Sequence, residues 1–269
     1  MELGGVYLDI FQAIVLGLIQ GLTEFFPVSS SGHLVIFQQL LGIKESGITF
    51  EVMVHFGTLL SVICVFWQDI VRIAKGFWHE KQERHFVLML LLGIIPTGLM
   101  GVFLNDFLVS FYENPLTTAF MLLITGILLF TLTRLTPGRK NELTMTVADA
   151  LLISVAQGIA IIPGISRSGS TITAALWRGL DRETAVRFSF LVSIPVILGA
   201  TVLELKEFAV SGFSGLNSSI WWGTAAAFVG GIFAIRTFVK FLQKGKFHYF
   251  AYYCWFAGAV TILYNLLAN

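Results

Sequence analysis

Long apolar stretches, separated by short polar segments, run through almost the whole of this 269-residue chain. With 56% hydrophobic and 12% charged residues and a mean hydropathy of +0.82, its composition excludes a soluble globular domain. Six stretches are each long enough to cross a bilayer as a helix, near 50–67, 86–107, 116–134, 186–203, 220–240 and 250–267. The sequence therefore predicts an all-α polytopic membrane protein that forms a single membrane domain over residues 1–269.

Two further apolar segments are too short or too interrupted to be ordinary spans. The first comprises residues 10–26 and roughly 33–43, with a serine cluster between them. The second runs from 148 to 183 and is broken at Pro163-Gly164. Irregular backbone at membrane depth is tolerated only where protein or water covers it. Each segment is therefore predicted to be a re-entrant helix pair, which enters and leaves the membrane on one face.

The two interrupted segments are copies of each other. A shift of 137 residues, with no gap, aligns five identical residues: Gln20, Gly21, Ser29, Ser31 and Gly32 fall on Gln157, Gly158, Ser166, Ser168 and Gly169. Three predicted spans separate the copies, and an odd number turns one copy upside down relative to the other. Residues 1–135 and 146–269 are therefore predicted to be inverted-topology repeats, joined by a short cytoplasmic loop. Such repeats place their site near the bilayer midplane, where the repeats meet.

Basic residues give this topology an orientation. With six spans and two re-entrant pairs, 14 of the 17 lysines and arginines fall on one face; Lys44 and Lys206 fall on the other, and Arg167 lies within the second copy. The basic stretch 68–85 is one of the loops on the first face. The positive-inside rule places that face in the cytoplasm and both termini outside.

Arg167 lies in a Ser/Gly-rich turn with apolar runs on either side. An unpaired arginine at the bilayer centre costs about 2.5–3.5 kcal/mol on insertion scales, so such a residue indicates a functional site. Its planar fork suits a pair of phosphate oxygens. A helix predicted to begin near 168–171 would add N–H donors and a positive dipole end. Ser166, Ser168 and Thr171 either donate to the anion or cap that helix.

The first copy supplies groups of a different kind. Gln20 and Glu24 are spaced i, i+4 and share one helix face. An intramembrane carboxylate is a functional candidate by default, whereas Gln20 would also serve as a helix-packing hydrogen-bonding group. His33 is either a satisfied core histidine or a catalytic group within reach of Glu24. Ser29 recurs in the second copy and is explained by turn formation, whereas Ser30 aligns with Arg167 and is the best hydroxyl candidate.

Together these groups suit phosphoryl transfer from an anionic lipid, because they include a clamp, a base, a nucleophile and an acid. A transporter of an anionic substrate would use the same clamp and the same inverted symmetry. The chain has no P-loop or kinase signature, so nucleotide hydrolysis is not expected. Nothing in it indicates nucleic-acid binding.

The two motifs closely resemble the signature stretches of the bacterial undecaprenyl-diphosphate phosphatases, also called bacitracin-resistance proteins. They are Gln20-Gly-Leu-Thr-Glu24-Phe-Phe-Pro-Val-Ser-Ser-Ser-Gly-His33 and Pro163-Gly-Ile-Ser-Arg-Ser-Gly-Ser-Thr171. The resemblance extends to the runs that begin at Asp181 and Phe188. It implies two inverted repeats with re-entrant helix pairs and six spans. It also implies hydrolysis of undecaprenyl diphosphate to undecaprenyl phosphate and inorganic phosphate. This reaction at the outer face of the bacterial cytoplasmic membrane recycles the lipid carrier for peptidoglycan synthesis and confers bacitracin resistance.

The resemblance also implies roles for single residues. Gln20 and Glu24 match the acidic pair of the family. Ser30 and His33 match the catalytic residues of its first loop. The phosphate-binding residues are Ser166, Arg167 and Thr171, to which we add Gln20 and, from the aligned turns, Ser29 and Ser168. A divalent cation, Mg²⁺ or Ca²⁺, is expected as cofactor. Many members have Glu at the position of Gln20, so metal binding here is expected to rest on Glu24 and the substrate's phosphates.

Three mechanisms and two functions stay open at this point. In the preferred mechanism Ser30 attacks the terminal phosphorus, and Glu24 or His33 removes its proton. In the second, His33 is the nucleophile; in the third, Glu24 activates water directly. The alternative function is a flippase or exporter of polyprenyl phosphate. The expected partners are a polyprenyl diphosphate and membrane lipids, and a homodimer is compatible with the sequence.

Overall fold

This computed structural model describes residues 8–43, 48–104, 107, 115–136, 138–211, 218–243 and 245–268. Within these ranges the chain is all α-helical and has no β-strand, only an isolated bridge between Lys140 and Leu180. Twelve α-helices are described: α1 (Ile10–Phe25), α2 (Ser30–Leu40), α3 (Ile48–Val65), α4 (Trp67–Gly76), α5 (Lys81–Leu92), α6 (Ile95–Phe103), α7 (Pro115–Thr131), α8 (Val147–Ile159), α9 (Arg167–Trp177), α10 (Arg182–Ser211), α11 (Ser218–Gln243) and α12 (His248–Ala268).

Within the described ranges, five helical segments are long and apolar enough to cross a membrane. They are Lys81–Phe103, Pro115–Arg134, Arg182–Val202, Ser218–Leu242 and His248–Leu267. A sixth is present if α3 and α4, which bend by 66° at their junction, count as one span. A multi-pass membrane protein is therefore confirmed, with five or six candidate spans. Helices α1 and α8 are apolar but shorter, at 16 and 13 residues.

The predicted loop 68–85 is wrong in part, because most of it is helical. Helix α4 occupies Trp67–Gly76, and α5 already begins at Lys81. Helix α4 is amphipathic: Ile70 and Ile73 pack against the core, whereas Trp67 is exposed. Apolar residues at this i, i+3 spacing form one narrow stripe among charged ones. The average hydropathy is then low, which makes the segment resemble a loop.

The helices of the two interrupted segments begin at matching positions. Helices α1 and α8 begin at residues 10 and 147, and α2 and α9 begin at residues 30 and 167. Every pair differs by the 137 residues of the sequence repeat. The capping boxes recur as well, with Asp9 before α1 and Thr146 before α8. Helix α2 begins earlier than the predicted 33, and α9 begins at Arg167 itself, just before the predicted start.

Helix α1 lies directly against α11 through glycines. An added Cβ at Gly17 would lie 2.1 Å from the carbonyl oxygen of Gly223, and one at Gly21 would lie 2.4 Å from that of Ala227. At the other end of α1, Phe25 is fully buried and its ring meets that of Phe190 edge to face at 5.7 Å. These contacts fix the helix that carries Gln20 and Glu24.

Replacing Gly17 with alanine is expected to lower the free energy of unfolding by about 1–3 kcal/mol, because backbone on the neighbouring helix cannot give way to the new methyl group. The measurement is thermal unfolding in detergent. Gly98→Ala is the matched control, since nothing lies within 4 Å of a Cβ there. Alanine also favours the helix, so this control is expected to keep or raise stability. Equal losses in the two variants would contradict the close approach of α1 and α11.

Candidate active site

The two interrupted segments meet at their turns. The Ser29 hydroxyl accepts a hydrogen bond from the Gly164 N–H at 3.1 Å, and the Ser168 hydroxyl donates to the Phe26 carbonyl at 3.2 Å. Two residues in this region have positive φ, Ser29 at 67° and Gly164 at 90°. Positive φ is strained for serine, so the tertiary contact with the second turn stabilises this conformation. Thr125 of α7 also holds the second turn, because its hydroxyl donates to the Gly164 carbonyl at 2.8 Å.

Glu24 lies at the centre of the site. Its Oε1 accepts from Arg167 Nη2 at 2.6 Å, and its Oε2 accepts from Ser30 Oγ at 2.5 Å and from Gln20 Nε2 at 3.0 Å. Gln20 and Glu24 are buried, and the Arg167 side chain is 15% exposed. Breaking a buried pair by removing one partner typically costs about 3–5 kcal/mol. The structure therefore brings three predicted residues, Gln20, Ser30 and Arg167, together around the carboxylate of a fourth, Glu24.

The site also contains a donor and an acceptor with no partner in the protein. Arg167 Nη1 and Gln20 Oε1 are both buried and make no hydrogen bond within the described residues. Buried polar atoms are normally satisfied, so such atoms beside a charged cluster indicate where a ligand binds. Arg167 is also the first residue of α9, whose N-terminus carries a positive partial charge. The arrangement favours an anion between Arg167 and the start of α9.

Four of the predicted phosphate-binding hydroxyls make contacts within the protein. Ser29 and Ser166 cap α2 and α9 by accepting from Gly32 N and Gly169 N. Ser168 bonds to the first turn, and the Thr171 hydroxyl lies 2.5 Å from that of Ser189. The structure therefore shows the predicted capping for Ser166, and Ser29, which was predicted to shape the turn, caps α2. Capping uses an oxygen lone pair, so Ser29 and Ser166 can still donate a hydroxyl proton to a phosphate. Ser168 and Thr171 would have to exchange the bonds that they donate.

His33 is buried, but the structure does not pair it with Glu24 as expected. Its Nδ1 lies 2.7 Å from the Ser29 carbonyl oxygen, and its Nε2 lies 2.7 Å from the Tyr253 hydroxyl. A carbonyl only accepts, so Nδ1 carries a proton and donates it. The residues next to Glu24 are Gln20, Ser30 and Arg167. Glu24 therefore accepts a hydrogen bond from Ser30 and none from His33, whose two nitrogens contact Ser29 and Tyr253.

Tyr253 and His55 interact with residues of the candidate site, and neither belongs to the two sequence motifs. His55 lies on α3, interacts electrostatically with Glu24, and is oriented by a 2.8 Å contact from Nδ1 to the Glu51 carbonyl. A histidine inside an apolar span is itself a signal, which would have found it. Tyr253 lies on α12 among other aromatic residues, and nothing local distinguishes it.

A divalent cation finds few protein ligands here. Across the described residues, no group of three or more His, Cys, Asp or Glu side chains is arranged to hold a metal ion. Glu24 and the unpartnered Gln20 Oε1 supply oxygen ligands, which Mg²⁺ and Ca²⁺ prefer. Such a pair fits a cation that takes its remaining ligands from substrate phosphates and water.

A family model for the bacitracin resistance protein BacA matches residues 13–260, which include both turns of the site. The chain belongs to the BacA family. BacA relatives that carry the name undecaprenyl-diphosphatase match it along nearly their whole length. That of Halothermothrix orenii is 48% identical over 257 residues, covering 95% of this chain and 98% of the relative. That of Alkaliphilus metalliredigens is 44% identical over 272 residues, covering 96% and 99%. That of Methanosphaera stadtmanae is 37% identical over 277 residues, covering 97% and 99%.

Proposed function

We propose that this protein hydrolyses undecaprenyl diphosphate to undecaprenyl phosphate and inorganic phosphate. The observation that carries the proposal is the Ser30 hydroxyl, held 2.5 Å from a carboxylate that is itself paired with Arg167. A nucleophile, a base and a phosphate clamp thus lie in one buried cluster. The names of the relatives supply the substrate.

In the first half of the proposed reaction, Ser30 Oγ forms a bond to the terminal phosphorus and its proton passes to Glu24 Oε2. The bridging P–O bond breaks, and undecaprenyl phosphate leaves with the bonding electron pair. Arg167 Nη1 donates to the phosphoryl oxygens while Nη2 stays on Glu24. Arg167 can therefore bind the phosphate and stay paired with Glu24 at the same time.

In the second half, a water oxygen attacks the phosphoserine and gives one proton to His33 Nε2, which releases the Tyr253 hydroxyl to accept it. The P–Oγ bond breaks, and Ser30 Oγ recovers its proton from Glu24. Phosphate leaves, and the proton on His33 passes to solvent. His33 follows Ser30 by three residues on α2, so both occupy one face of that helix. A mechanism with Ser30 as the nucleophile is preferred to one with His33, because the Ser30 hydroxyl is the one bonded to the Glu24 carboxylate.

Glu24 and Gln20 Oε1 would hold a Mg²⁺ or Ca²⁺ ion together with the diphosphate. When bound, the ion would neutralise part of the diphosphate charge. Gln20 already donates its Nε2 to Glu24, and its carbonyl oxygen has no protein partner. The amide oxygen is therefore a weak but available ligand.

Replacing Gln20 with glutamate is expected to lower the cation concentration that gives half-maximal activity by about tenfold, because ligand charge strongly tunes such sites. The measurement is phosphate release across a Mg²⁺ or Ca²⁺ titration after chelation. Gln39→Glu is the matched control, since it adds the same charge to an exposed position of α2. An unchanged cation dependence in Gln20→Glu would remove this residue from the proposed ligands.

The proposed topology has six spans and two re-entrant helix pairs, arranged as inverted repeats in the bacterial cytoplasmic membrane. Both termini would lie outside, and the site would open to the outer face, where it recycles the lipid carrier for peptidoglycan synthesis. The 137-residue shift between matching helix starts supports the repeat. The uneven distribution of Lys and Arg supports the orientation.

The test is phosphate release from the purified protein in detergent, where two compartments no longer exist. We expect release from undecaprenyl diphosphate that depends on Arg167. Transport needs two compartments and would leave the diphosphate intact. No release above the level of Arg167→Ala would therefore contradict the hydrolase and favour a flippase.

A further inference from the structure

A tyrosine from the last helix completes the surroundings of His33. Tyr253 lies 220 residues further along the chain, yet its hydroxyl oxygen is 2.7 Å from His33 Nε2. The two rings also stack, with centroids 5.5 Å apart and an angle of 10° between their planes. His33 is 2% exposed, so these contacts account for much of its surroundings.

We propose that Tyr253 is a positioning residue for the phosphatase reaction, which holds the His33 ring in place through Nε2, its basic nitrogen. The inference rests on the proposed function, in which that nitrogen takes a proton from the attacking water. It goes beyond the two sequence motifs, because Tyr253 belongs to neither.

The tautomer follows from the two partners of the ring. The Ser29 carbonyl has no proton to give, so Nδ1 must be the protonated nitrogen of the neutral ring. Nε2 then carries a lone pair, and the Tyr253 hydroxyl donates to it. The hydrogen bond that one ring nitrogen makes sets the role of the other. Without the tyrosine hydroxyl, the ring keeps the Nδ1 contact but loses the bond that orients Nε2.

The two kinds of contact can be separated by mutation. Tyr253→Phe keeps an aromatic ring for the stack and removes only the hydroxyl. Tyr252 is the matched control: it is the adjacent residue, and its ring packs against Phe130 and Trp255 instead of the site. Tyr252→Phe therefore removes a tyrosine hydroxyl from the same turn of α12 without touching His33.

The experiment measures kcat and KM for phosphate release, thermal unfolding, and the ¹⁵N resonances of the imidazole nitrogens in whole protein. We expect Tyr253→Phe to lower kcat by about tenfold, since general-base catalysis contributes about 10²–10⁴-fold and only its orientation is impaired. KM and the melting temperature are expected to stay unchanged. The His33 Nε2 resonance, assigned from its loss in His33→Gln, is expected to shift because Nε2 loses its hydrogen-bond donor, whereas Nδ1 keeps its proton. Tyr252→Phe is expected to change none of these quantities.

A double-mutant cycle tests whether the tyrosine acts through His33. In a His33→Gln background, Tyr253→Phe is expected to cause no further loss of kcat. An equal loss of kcat in both backgrounds would overturn the inference. So would a Tyr253→Phe variant with the kcat of the wild type and unchanged His33 resonances. If His33→Gln turnover is below detection, the resonances of Tyr253→Phe decide. If the wild-type protein releases no phosphate, the proposed function fails, whereas the tautomer measurement still tests the contact.

Discussion

Replacing Arg167 with alanine is expected to reduce phosphate release by about 10³-fold or more, because arginines that stabilise a transferring phosphoryl group contribute about 10³–10⁵. Arg167 joins the two halves of the site: Nη2 is bonded to Glu24, and Nη1 is buried without a protein partner. The truncation removes the donor to the phosphate and leaves the Glu24 carboxylate buried without its counter-ion. The measurement is initial-rate phosphate release in detergent.

The conservative variant separates charge from geometry. Arg167→Lys keeps the positive charge but loses the planar fork, so one ammonium cannot serve Glu24 and the phosphate as the guanidinium does. We expect a loss of about 10²-fold, as when one transition-state donor is removed. Arg84→Ala is the control, because Arg84 is exposed on α5. Thermal unfolding identifies any variant that fails to fold. Folded Arg167→Ala protein with turnover within tenfold of wild type would contradict the clamp.

The sequence repeat predicted the positions at which the helices of the two interrupted segments begin. Gln20 and Gln157 lie at equivalent positions of α1 and α8. The helices after the turns begin at Ser30 and Arg167, and Ser30 is the one serine of its cluster that aligns with a different residue. The repeat therefore indicated which two residues would have separate roles. The structure places both on Glu24, at 2.5 and 2.6 Å.

The sequence has no such signal for residues that meet only through the packing of distant helices. Tyr253 contacts His33 only because α12 packs beside the first turn, and its aromatic neighbours in the sequence conceal it. The same limit applies to the hydroxyls. A serine before a helix suits both a cap and a phosphate ligand, and only the 3.1 Å bond from Gly169 N assigns the cap to Ser166. Helix α4 was missed because its apolar stripe is diluted by charged residues.

Replacing Ser30 with alanine is expected to lower turnover by several orders of magnitude, because the nucleophile of a covalent mechanism has no substitute. The Ser30 hydroxyl is the one that Glu24 holds at 2.5 Å. Ser31→Ala is the matched control: its hydroxyl lies 3.3 Å from that of Ser29, and it is expected to keep most of the activity. Near-normal turnover of Ser30→Ala would exclude the serine nucleophile.

The covalent intermediate distinguishes the three mechanisms independently of rates. With ³²P-labelled substrate and acid quenching, Ser30 predicts an acid-stable phosphoserine, which Ser30→Ala removes and Ser31→Ala keeps. An acid-labile phosphohistidine would instead assign the nucleophile to His33, and Nε2 would first have to release the Tyr253 hydroxyl. Lack of any adduct would favour direct attack by water activated by Glu24.

Because His33 is proposed as the base of the second half-reaction, His33→Gln is expected to accumulate the phosphoserine that wild-type protein turns over. Accumulation in that variant would assign nucleophile and base to different residues of the same helix.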